Sequence, residues 1–371
     1  MALPLLFALA LLAQPAQPAQ AQNRQIGERP DATPPFSVTE VARLESPWAM
    51  AFLPDGRMLV TQRPGGLFLV TQQGDLTEVA NAPEPHAQGQ NGLLDVALAP
   101  DFDTSGLLYL TYTAPGRNGN ALTLVRARLT DAPALEEVTE LWRQDPPGGG
   151  GHPGAQIAFD PSGEYLFLAV GDRTEHDRLP DPDDPRGKIL RLHLDGSIPA
   201  DNPMAGEGGV RALTWTTGHR NPYGLAFAPD GRLWEHEMGP RGGDEMNLIE
   251  RGGNYGWPLV SNGRNYGGSD IPDHVTRPDL HAPALWWTPV IAPAGLSFYS
   301  GAMFPEWEGA ALIGGLASQA LVVVQFENGV PNESARYYME ARIRDVAVAP
   351  DGAVWLIEDD VDGRLMRLTA D

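Results

Sequence analysis

A short turn unit that recurs six times along the chain constrains its fold more than any other feature. Each copy joins a few small or apolar residues to a proline, and an apolar segment typical of a β-strand follows the turn. In five copies an acidic residue comes directly after the proline. These residues favour a tight turn between two strands, because proline fixes φ and acidic residues or glycine suit the later turn positions. The prolines of the six copies are Pro54, Pro100, Pro161, Pro229, Pro305 and Pro350.

The spacing of these prolines predicts the architecture. Successive prolines are 46, 61, 68, 76 and 45 residues apart. One four-stranded propeller blade takes about 40–50 residues, and longer intervals leave room for loops. We therefore predict an all-β, six-bladed β-propeller in which Ser37 to Val41 supplies the strand that completes the last blade. The alternative, unrelated hairpins in a β-sandwich, leaves the recurrence of one turn unexplained.

The repeat also predicts the domain organisation, since it spans nearly all of the 371 residues. We expect one propeller domain over 38–371, preceded by an N-terminal extension over 23–37. Residues 1–22 have the pattern of a cleaved export signal, with an apolar run over 3–12 and a small-x-small cleavage site at 19–21. The run is too short to anchor the chain across a bilayer, and no later segment has the roughly 18 consecutive apolar residues of a membrane span. We therefore expect a periplasmic or secreted protein.

Composition and missing motifs argue against several classes of function. The formal net charge of −22 argues against nucleic acid or an anionic membrane as a partner. The lack of cysteine excludes disulfides and thiol chemistry. No Gly-x-Gly-x-x-Gly motif enters a helical pattern, which argues against a nicotinamide-binding domain, and the Gly-x-Ser-x-Gly and His-Glu-x-x-His motifs are absent. The remaining candidates are polar residues on loops, which a propeller gathers at one end of its channel.

Two of these loop residues suggest proton transfer. His152 follows four glycines, so a ligand can approach its loop closely, and an accessible histidine can act as a general base near neutral pH. Asp172 ends the next apolar strand, where it either orients the imidazole or simply terminates the strand. On sequence alone, His152 fits a general base and a solvent-exposed loop residue equally well, whereas the sequence favours a strand-ending turn for Asp172.

Arginines form a second candidate set. Arg342 and Arg344 alternate along a strand and therefore share one face. Two guanidinium groups on one face suit either an anion with several carboxylates or ordinary pairing with acidic neighbours. Arg220 and Asn221 directly precede another copy of the turn unit.

A third candidate is the turn at Gly239 and Pro240. Its backbone carbonyls are ligands of the kind that Ca²⁺ accepts, and the carboxylates of Asp244 and Glu245 follow closely in sequence. A plain turn with solvated acidic residues remains the alternative.

Taken together, these motifs resemble the glucose/sorbosone dehydrogenase family, the soluble aldose sugar dehydrogenases that use pyrroloquinoline quinone (PQQ). The resemblance covers roughly Leu44 to Leu368 and depends on the number and order of short motifs. The motifs are Gly89-Gln90-Asn91-Gly92-Leu93-Leu94, Gly151-His152, Val170-Gly171-Asp172, Gly187-Lys188-Ile189-Leu190-Arg191, Gly218-His219-Arg220-Asn221-Pro222, Gly239-Pro240, Asp244-Glu245, Gly252-Gly253-Asn254-Tyr255-Gly256-Trp257-Pro258, Ala292-Pro293-Ala294-Gly295 and Arg342-Ile343-Arg344-Asp345.

The resemblance implies a six-bladed propeller and assigns catalytic roles to three residues. It implies that His152 is the general base that removes the proton of the C1 hydroxyl of an aldose while hydride passes from C1 to C5 of PQQ. Asp172 would orient this histidine, and Arg220 would lie near the quinone oxygens, where it stabilises developing negative charge.

The resemblance also implies the cofactor ligands. Gln90, Asn221 and Arg220 would contact PQQ, and Arg342 and Arg344 would pair with its carboxylates. The remaining implied ligands bind metal: the carbonyls of Gly239 and Pro240 would hold a Ca²⁺ that also contacts PQQ, and Glu245 with the Tyr255 carbonyl would hold a further, structural Ca²⁺.

One position departs from the family pattern. Glucose-oxidising members carry a lysine that helps to bind PQQ, and the matching residue here is Ala317. On the substrate side, Trp287 either stacks on a sugar ring or packs in the core. The electrons would leave through a soluble acceptor, a cytochrome or a quinone. Two other functions stay open on sequence: a calcium-dependent propeller lactonase, and a binding propeller without catalysis.

Overall fold

The computed structural model describes residues 23–28 and 31–371, and β-strands dominate its secondary structure. The expected export signal, residues 1–22, lies outside the described residues. The strands form six sheets of four or five strands, arranged as six blades. The predicted six-bladed β-propeller is therefore confirmed. In the part of the chain that the structure describes, no helix has the length and apolar character needed to cross a membrane.

Two N-terminal strands join sheets that are formed by later parts of the chain. They are β1 (Arg24–Ile26) and β2 (Phe36–Glu45). The first three blades follow in chain order, each with its strands hydrogen-bonded in sequence. Blade 1 contains β3 (Pro47–Phe52), β4 (Met58–Gln62), β5 (Leu67–Val70) and β6 (Leu76–Glu78). Blade 2 contains β7 (Leu93–Leu98), α1 (Phe102–Ser105), β8 (Leu107–Gly116), β9 (Gly119–Leu129) and β10 (Leu135–Arg143). Blade 3 contains β11 (Gly154–Phe159), β12 (Tyr165–Val170), β13 (Lys188–His193), α2 (Gly209–Leu213) and β14 (Thr214–Thr217), with 3₁₀ turns at His176–Arg178 and Ala205–Glu207.

The remaining three blades repeat this order. Blade 4 contains β15 (Pro222–Phe227), β16 (Leu233–Glu237), β17 (Asp244–Leu248) and β18 (Leu285–Trp287), with a 3₁₀ turn at His274–Thr276. Blade 5 contains β19 (Pro293–Phe298), β20 (Ala311–Gly315), β21 (Ala320–Glu327) and β22 (Val330–Tyr338), with a 3₁₀ turn at Pro305–Trp307. Blade 6 contains β23 (Ile343–Val348), β24 (Val354–Glu358) and β25 (Asp362–Ala370) and is completed by β2.

The N-terminal strand β2 closes the propeller. It pairs antiparallel with β25, from Phe36 opposite Ala370 to Glu45 opposite Asp362. Ser37 to Val41 lie within β2, so the predicted closing strand is confirmed. Strand β1 instead pairs in parallel with β18 and adds a fifth strand to blade 4. Both ends of the described chain are thus held in blades, and closure leaves no open edge between the first and last repeats.

All six repeat prolines lie between the first and second strands of a blade. The first strands neighbour one another in a closed ring: β3, β7, β11, β15, β19 and β23. The proline turns therefore lie at one end of the ring, which we call the turn face. The loops that precede these first strands, together with those joining each second strand to the third, lie at the opposite end, which we call the loop face.

Buried aspartates join neighbouring strands of this ring. The Asp95 Oδ2 atom on β7 accepts a 2.7 Å hydrogen bond from the backbone of Ile157 on β11. Asp345 on β23 does the same for Met50 on β3, at 2.9 Å. Burial raises the pKa of Asp95 to about 8 and that of Asp345 to about 7. These bonds fix the ring that carries the loop face.

Candidate active site

His152 and Asp172 meet at the loop face because they flank two paired strands. His152 lies two residues before the start of β11 and Asp172 two residues after the end of β12, and Gly154 opposes Val170 in the antiparallel pair. The His152 Nδ1 atom donates to Asp172 Oδ1 over 2.7 Å. Gln90 Oε1 accepts a 2.6 Å bond from the backbone N–H of His152. With Nδ1 engaged by the carboxylate, Nε2 is the ring nitrogen left to face a substrate.

Asp172 is completely buried and accepts four hydrogen bonds. Besides His152, its donors are the backbone of Thr174 at 2.7 Å, His176 Nδ1 at 2.8 Å and Trp257 Nε1 at 2.8 Å. Burial alone would raise the pKa of Asp172, but the bonds from His152 and His176 outweigh it and hold the pKa well below its ordinary value. The carboxylate therefore stays ionised and fixes the orientation of the His152 ring.

His176 and Trp257 were not predicted from the sequence to contact Asp172. His176 lies four residues after Asp172 on the same loop, so its spacing was a usable signal. Trp257 is 85 residues away in sequence, and nothing in the local pattern shows that it reaches Asp172.

Arg220 lies beside this pair on the loop before β15. Its carbonyl accepts a 2.8 Å bond from the backbone N–H of Asp172. Its guanidinium group lies 5.4 Å from the centre of the Trp257 ring and donates to the Met238 carbonyl over 2.8 Å. The charge of Arg220 is therefore held next to the imidazole and carboxylate pair.

Arg220 and Asn221 each have one buried polar atom without a hydrogen-bond partner among the described residues. These atoms are Arg220 Nε and Asn221 Oδ1. The backbone N–H groups of Arg220 and Asn221 both donate to Glu237 Oε2, at 3.0 Å for Asn221. The loop is thus anchored through its backbone, while its side chains keep bonding capacity for a polar ligand.

Gln90 and the arginine pair are connected to the same site through aromatic rings. Gln90 Oε1 accepts a 3.4 Å bond from the Tyr223 hydroxyl, and Tyr223 packs edge-on against Trp48 with ring centres 5.5 Å apart. The Arg344 guanidinium group lies 4.2 Å above the Trp48 ring. Trp48 lies on β3 of blade 1 and Tyr223 on β15 of blade 4, so the aromatic pair that connects Gln90 with Arg344 spans the central channel.

Arg342 and Arg344 bind the same acidic residue. Each donates to Asp359 over 2.8 Å, Arg342 through Nε and Arg344 through Nη2. Burial on its own would raise the pKa of Asp359. Arg344 and Arg342 lower it by more than burial raises it, so the pKa lies below its ordinary value. Arg342 precedes β23 and Arg344 lies within it, so a shared strand face does not join them. They are joined by Asp359, which agrees with the other interpretation of the sequence, pairing with an acidic neighbour.

The Gly239-Pro240 turn connects β16 to β17 beside Arg220. The backbone N–H of Gly239 donates to Asp244 Oδ1 over 2.8 Å. A Cβ atom at Gly239 would overlap the carbonyl oxygens of Gly242 and Gly243. Only glycine allows the backbone to approach these carbonyls so closely. The Gly239 carbonyl accepts a 3.3 Å bond from Arg220 Nη1, and backbone carbonyls are ligands of the kind that a hard cation accepts.

Glu245 and Tyr255 line the same small cavity as Gly239 and Arg220, with Glu237 on its wall. The cavity volume is about 10 Å³, which is room for one water-sized group. Burial, reinforced by the nearby charge of Glu237, raises the pKa of Glu245 well above its ordinary value. A divalent cation here would offset that cost, so the residues present fit Ca²⁺.

Trp287 has a structural position rather than a substrate-facing one. It is completely buried between blades 4 and 5, and its Nε1 donates to Glu333 Oε2 over 2.6 Å. Of the two alternatives for Trp287, core packing is therefore the one that the structure supports, because no face of the ring reaches solvent. An aromatic ring that was not predicted from the sequence is more accessible: Tyr266 is 69% exposed, and its hydroxyl lies 3.4 Å from Arg220 Nη2.

Comparison with known proteins identifies the family of this chain. The family model described as glucose / sorbosone dehydrogenase matches residues 44–367. The aldose sugar dehydrogenase YliI of Escherichia coli K12 is 39% identical over 339 residues, which cover 88% of this chain and 91% of that protein.

Solved structures agree. A crystal structure of a glucose dehydrogenase superposes with a TM-score of 0.86 at 40% identity, covering 90% of this chain and all of the other. The PQQ-bound aldose sugar dehydrogenase of Streptomyces coelicolor superposes with a TM-score of 0.76 at 29% identity, over 91% of this chain and 99% of that one. With a family match across most of its length and a relative this similar over nearly the whole of both proteins, the chain belongs to the glucose/sorbosone dehydrogenase family.

Proposed function

We propose that this protein is a periplasmic or secreted dehydrogenase that uses PQQ and Ca²⁺ to oxidise an aldose at C1 to the lactone. The observation that carries the proposal is the His152–Asp172 pair, held beside Arg220 on the loop face. A non-catalytic binding propeller has no evident need for an oriented base at its channel. Family membership and the PQQ-bound Streptomyces coelicolor relative support the same chemistry.

His152 supplies the base in this proposal. Its Nε2 atom takes the proton of the C1 hydroxyl while a hydride leaves C1, so that the carbon is oxidised by two electrons. Asp172 keeps the proton on Nδ1 and stabilises the imidazolium that forms. Because Asp172 stays ionised, this arrangement holds throughout the neutral pH range.

PQQ bound at this site would supply the hydride acceptor, and a Ca²⁺ held beside it would supply Lewis acidity. The unpartnered Arg220 Nε and Asn221 Oδ1 atoms are the side-chain groups with capacity to hold a quinone acid, together with Gln90. Arg342 and Arg344 supply positive charge for the carboxylates of PQQ. To do so, the two arginines must either share their bonds to Asp359 with PQQ or release them. Arg220 stabilises negative charge that develops on the quinone oxygens.

The cation ligands in the proposal are the carbonyls of Gly239 and Pro240, with Glu245 and the Tyr255 carbonyl at the adjoining cavity. Gly239, Glu245 and Tyr255 line one cavity, so the two proposed Ca²⁺ positions are close to each other. After turnover, two electrons pass to a soluble acceptor, a cytochrome or a quinone.

Reconstitution tests this function. The purified protein without residues 1–22 would be mixed with PQQ, Ca²⁺ and a dye acceptor, and then with a panel of aldoses. We expect dye reduction that requires PQQ, Ca²⁺ and an aldose together. Lactone hydrolysis without PQQ would instead identify a calcium-dependent lactonase. Absence of both activities, with no PQQ bound in an absorbance titration, would identify a binding propeller.

A further inference from the structure

A second group of buried polar side chains lies deeper between blades 3 and 4. His219 precedes β15, whereas Glu235 and Glu237 lie two residues apart on β16 and so face the same side of the sheet. The exposed fractions of His219, Glu235 and Glu237 are 0%, 0% and 3%. Two carboxyl groups and an imidazole therefore share an interior site that the proposed reaction does not use.

The separations in this group are too long for direct hydrogen bonds. His219 Nδ1 lies 3.7 Å from Glu237 Oε1 and 4.0 Å from Glu235 Oε2. Two groups bonded to one shared water are about 4.5 Å apart, given hydrogen bonds of about 2.8 Å. Ligands of one tetrahedral metal ion, each about 2.0–2.2 Å from it, are about 3.3–3.6 Å apart. The observed distances are closer to the spacing of metal ligands, and the three candidate ligand atoms all lie within 4.8 Å of one another.

Unpartnered atoms point to the same conclusion. Within the described residues, His219 Nδ1, Glu235 Oε1 and Asn247 Oδ1 are buried and have no hydrogen-bond partner. His219 Nε2 is engaged by Thr216 Oγ1 at 2.9 Å, which turns Nδ1 toward the carboxylates. The Asn247 amide donates to Glu235 Oε2 over 2.9 Å, so its own oxygen is left free.

No arginine or lysine compensates these two carboxylates within the described part of the chain. The ion pairs of Glu235 and Glu237 there involve His219 alone. A buried carboxylate without a counter-charge is strongly unfavourable. A bound cation would satisfy the charge and the unpartnered atoms together.

We propose that His219, Glu235 and Glu237 bind one divalent transition-metal ion of the Zn²⁺ type, with the Asn247 amide oxygen as a further neighbour. Imidazole nitrogen combined with carboxylate oxygen selects such ions, whereas Ca²⁺ prefers oxygen ligands throughout. The site adjoins the Ca²⁺ cavity, because Glu237 lines that cavity as well. Glu235 pairs with Asn247 two positions further along the strand than the Glu237–Glu245 pair, about 7 Å away. His219, Glu235 and Asn247 lie outside the lining of the cavity.

The metal would also support the loop that carries Arg220. Glu237 Oε1 faces His219, while its Oε2 accepts the backbone N–H groups of Arg220 and Asn221. An ion that fixes this carboxylate therefore fixes the loop. Binding itself requires neither PQQ nor turnover, so its measurement is independent of the proposed dehydrogenase activity.

The test is Zn²⁺ binding to the full chain saturated with Ca²⁺ and free of PQQ, measured by equilibrium dialysis and metal analysis. We expect one Zn²⁺ per chain, and at least about tenfold weaker binding in Glu235→Gln, since even indirect ligand changes cost that much. The matched control is Glu250→Gln, which alters the exposed pair of Glu250 and His281, 3.5 Å apart. This control should bind Zn²⁺ like the unaltered chain.

Equal Zn²⁺ binding by Glu235→Gln and the unaltered chain would overturn the proposal, as would the absence of Zn²⁺ from a folded, unaltered chain. If Glu235→Gln does not fold, anomalous diffraction at the zinc edge from crystals of the unaltered chain decides. A peak between His219 and Glu235 supports the site. Peaks confined to the surface or to the Gly239 cavity overturn it.

Discussion

The turn face and the loop face are built from the same blades by opposite means. At the turn face, four of the six connections between the first two strands are five residues long, and all six contain the repeat proline. At the loop face, ten residues separate β10 from β11 and 17 separate β12 from β13. These two loops carry His152 and Asp172. Regular turns connect the strands that form the ring, and irregular loops carry the candidate catalytic residues.

Glycine has a different task at each face. Gly231, in a proline turn, has a φ of +83°, and a Cβ there would meet no heavy atom within 4 Å. Gly239 on the loop face instead lies where a Cβ would overlap two carbonyl groups. The first glycine provides a backbone conformation, and the second provides space for close approach. This difference separates residues that build the propeller from residues that build the site.

Removing the candidate base should have the largest effect. His152→Ala should reduce turnover of the PQQ-loaded protein by about a thousandfold, because general-base catalysis is lost. PQQ should stay bound, since its proposed ligands are other residues. Dye-reduction assays measure turnover, and absorbance titration measures PQQ binding.

The control for this experiment is a histidine from the other face. His193 ends β13 opposite Tyr165, and its ring lies 5.0 Å from the Tyr165 ring. His193→Ala should leave turnover within about twofold of the unaltered protein, as expected away from the reacting groups. Retained turnover in His152→Ala would refute the assignment of the base.

Gly239 and Gly231 give a matched test of the different roles of glycine at the loop face and the turn face. Gly239→Ala should weaken Ca²⁺ binding by about 10- to 100-fold, because the overlap of the new Cβ with the Gly242 and Gly243 carbonyls must displace the Gly239 backbone. Gly231→Ala should leave Ca²⁺ binding unchanged and lower the free energy of unfolding by about 1 kcal/mol through its positive φ. Calcium titration and denaturant unfolding of both variants separate the two outcomes. Equal Ca²⁺ affinity in both would show that Gly239 is an ordinary turn residue.

The fold was predictable from the sequence because its repeat is local. A proline turn between two strands involves fewer than ten residues in most blades, so each copy is readable on its own. Even the closing strand β2 followed from counting: the last repeat lacks a fourth strand, and the segment before the first repeat supplies one.

The site was predictable only in part, because its contacts join distant segments. His152 and Asp172 stood out through their glycines and their strand end, but their contact depends on the register between β11 and β12. The bond from Trp257 to Asp172 spans 85 residues. The burial of Trp287 could not be predicted from the sequence either, because a shift of one residue in strand register decides whether the ring is buried or exposed.

Ala317 offers a gain of function on the loop face. It lies exposed in the turn between β20 and β21, next to Leu316, whose carbonyl lies 3.5 Å from Arg342 Nη1. Ala317→Lys would restore the cation that the family pattern places here, and PQQ should bind about tenfold more tightly. Ala317→Met, of similar length without the charge, is the control. Equal PQQ affinity in the lysine and methionine variants would mean that the arginine pair already satisfies the carboxylates of PQQ.

His176 should have the smallest effect, because it supports Asp172 from the side away from the base. The folded-state pKa of Asp172 is depressed, so this carboxylate adds stability above the ordinary aspartate pKa, and that stability is lost as the pH falls through the folded-state value. His176→Ala removes one of the bonds that depress it. The side chain of His176 is 44% exposed, so the loss at neutral pH should be only about 1 kcal/mol.

The acid-unfolding midpoint of His176→Ala, followed by tryptophan fluorescence, should therefore move to higher pH. Turnover should stay within about threefold, since Thr174 and Trp257 still hold the carboxylate against His152. His176→Asn keeps a donor for Asp172 and should recover part of the acid stability. A hundredfold loss of turnover with an unchanged acid midpoint would contradict a positioning role and make His176 a participant in proton transfer. The residues that take part in catalysis at the loop face would then include His176, at the solvent-exposed edge of the site, in addition to His152 and Asp172.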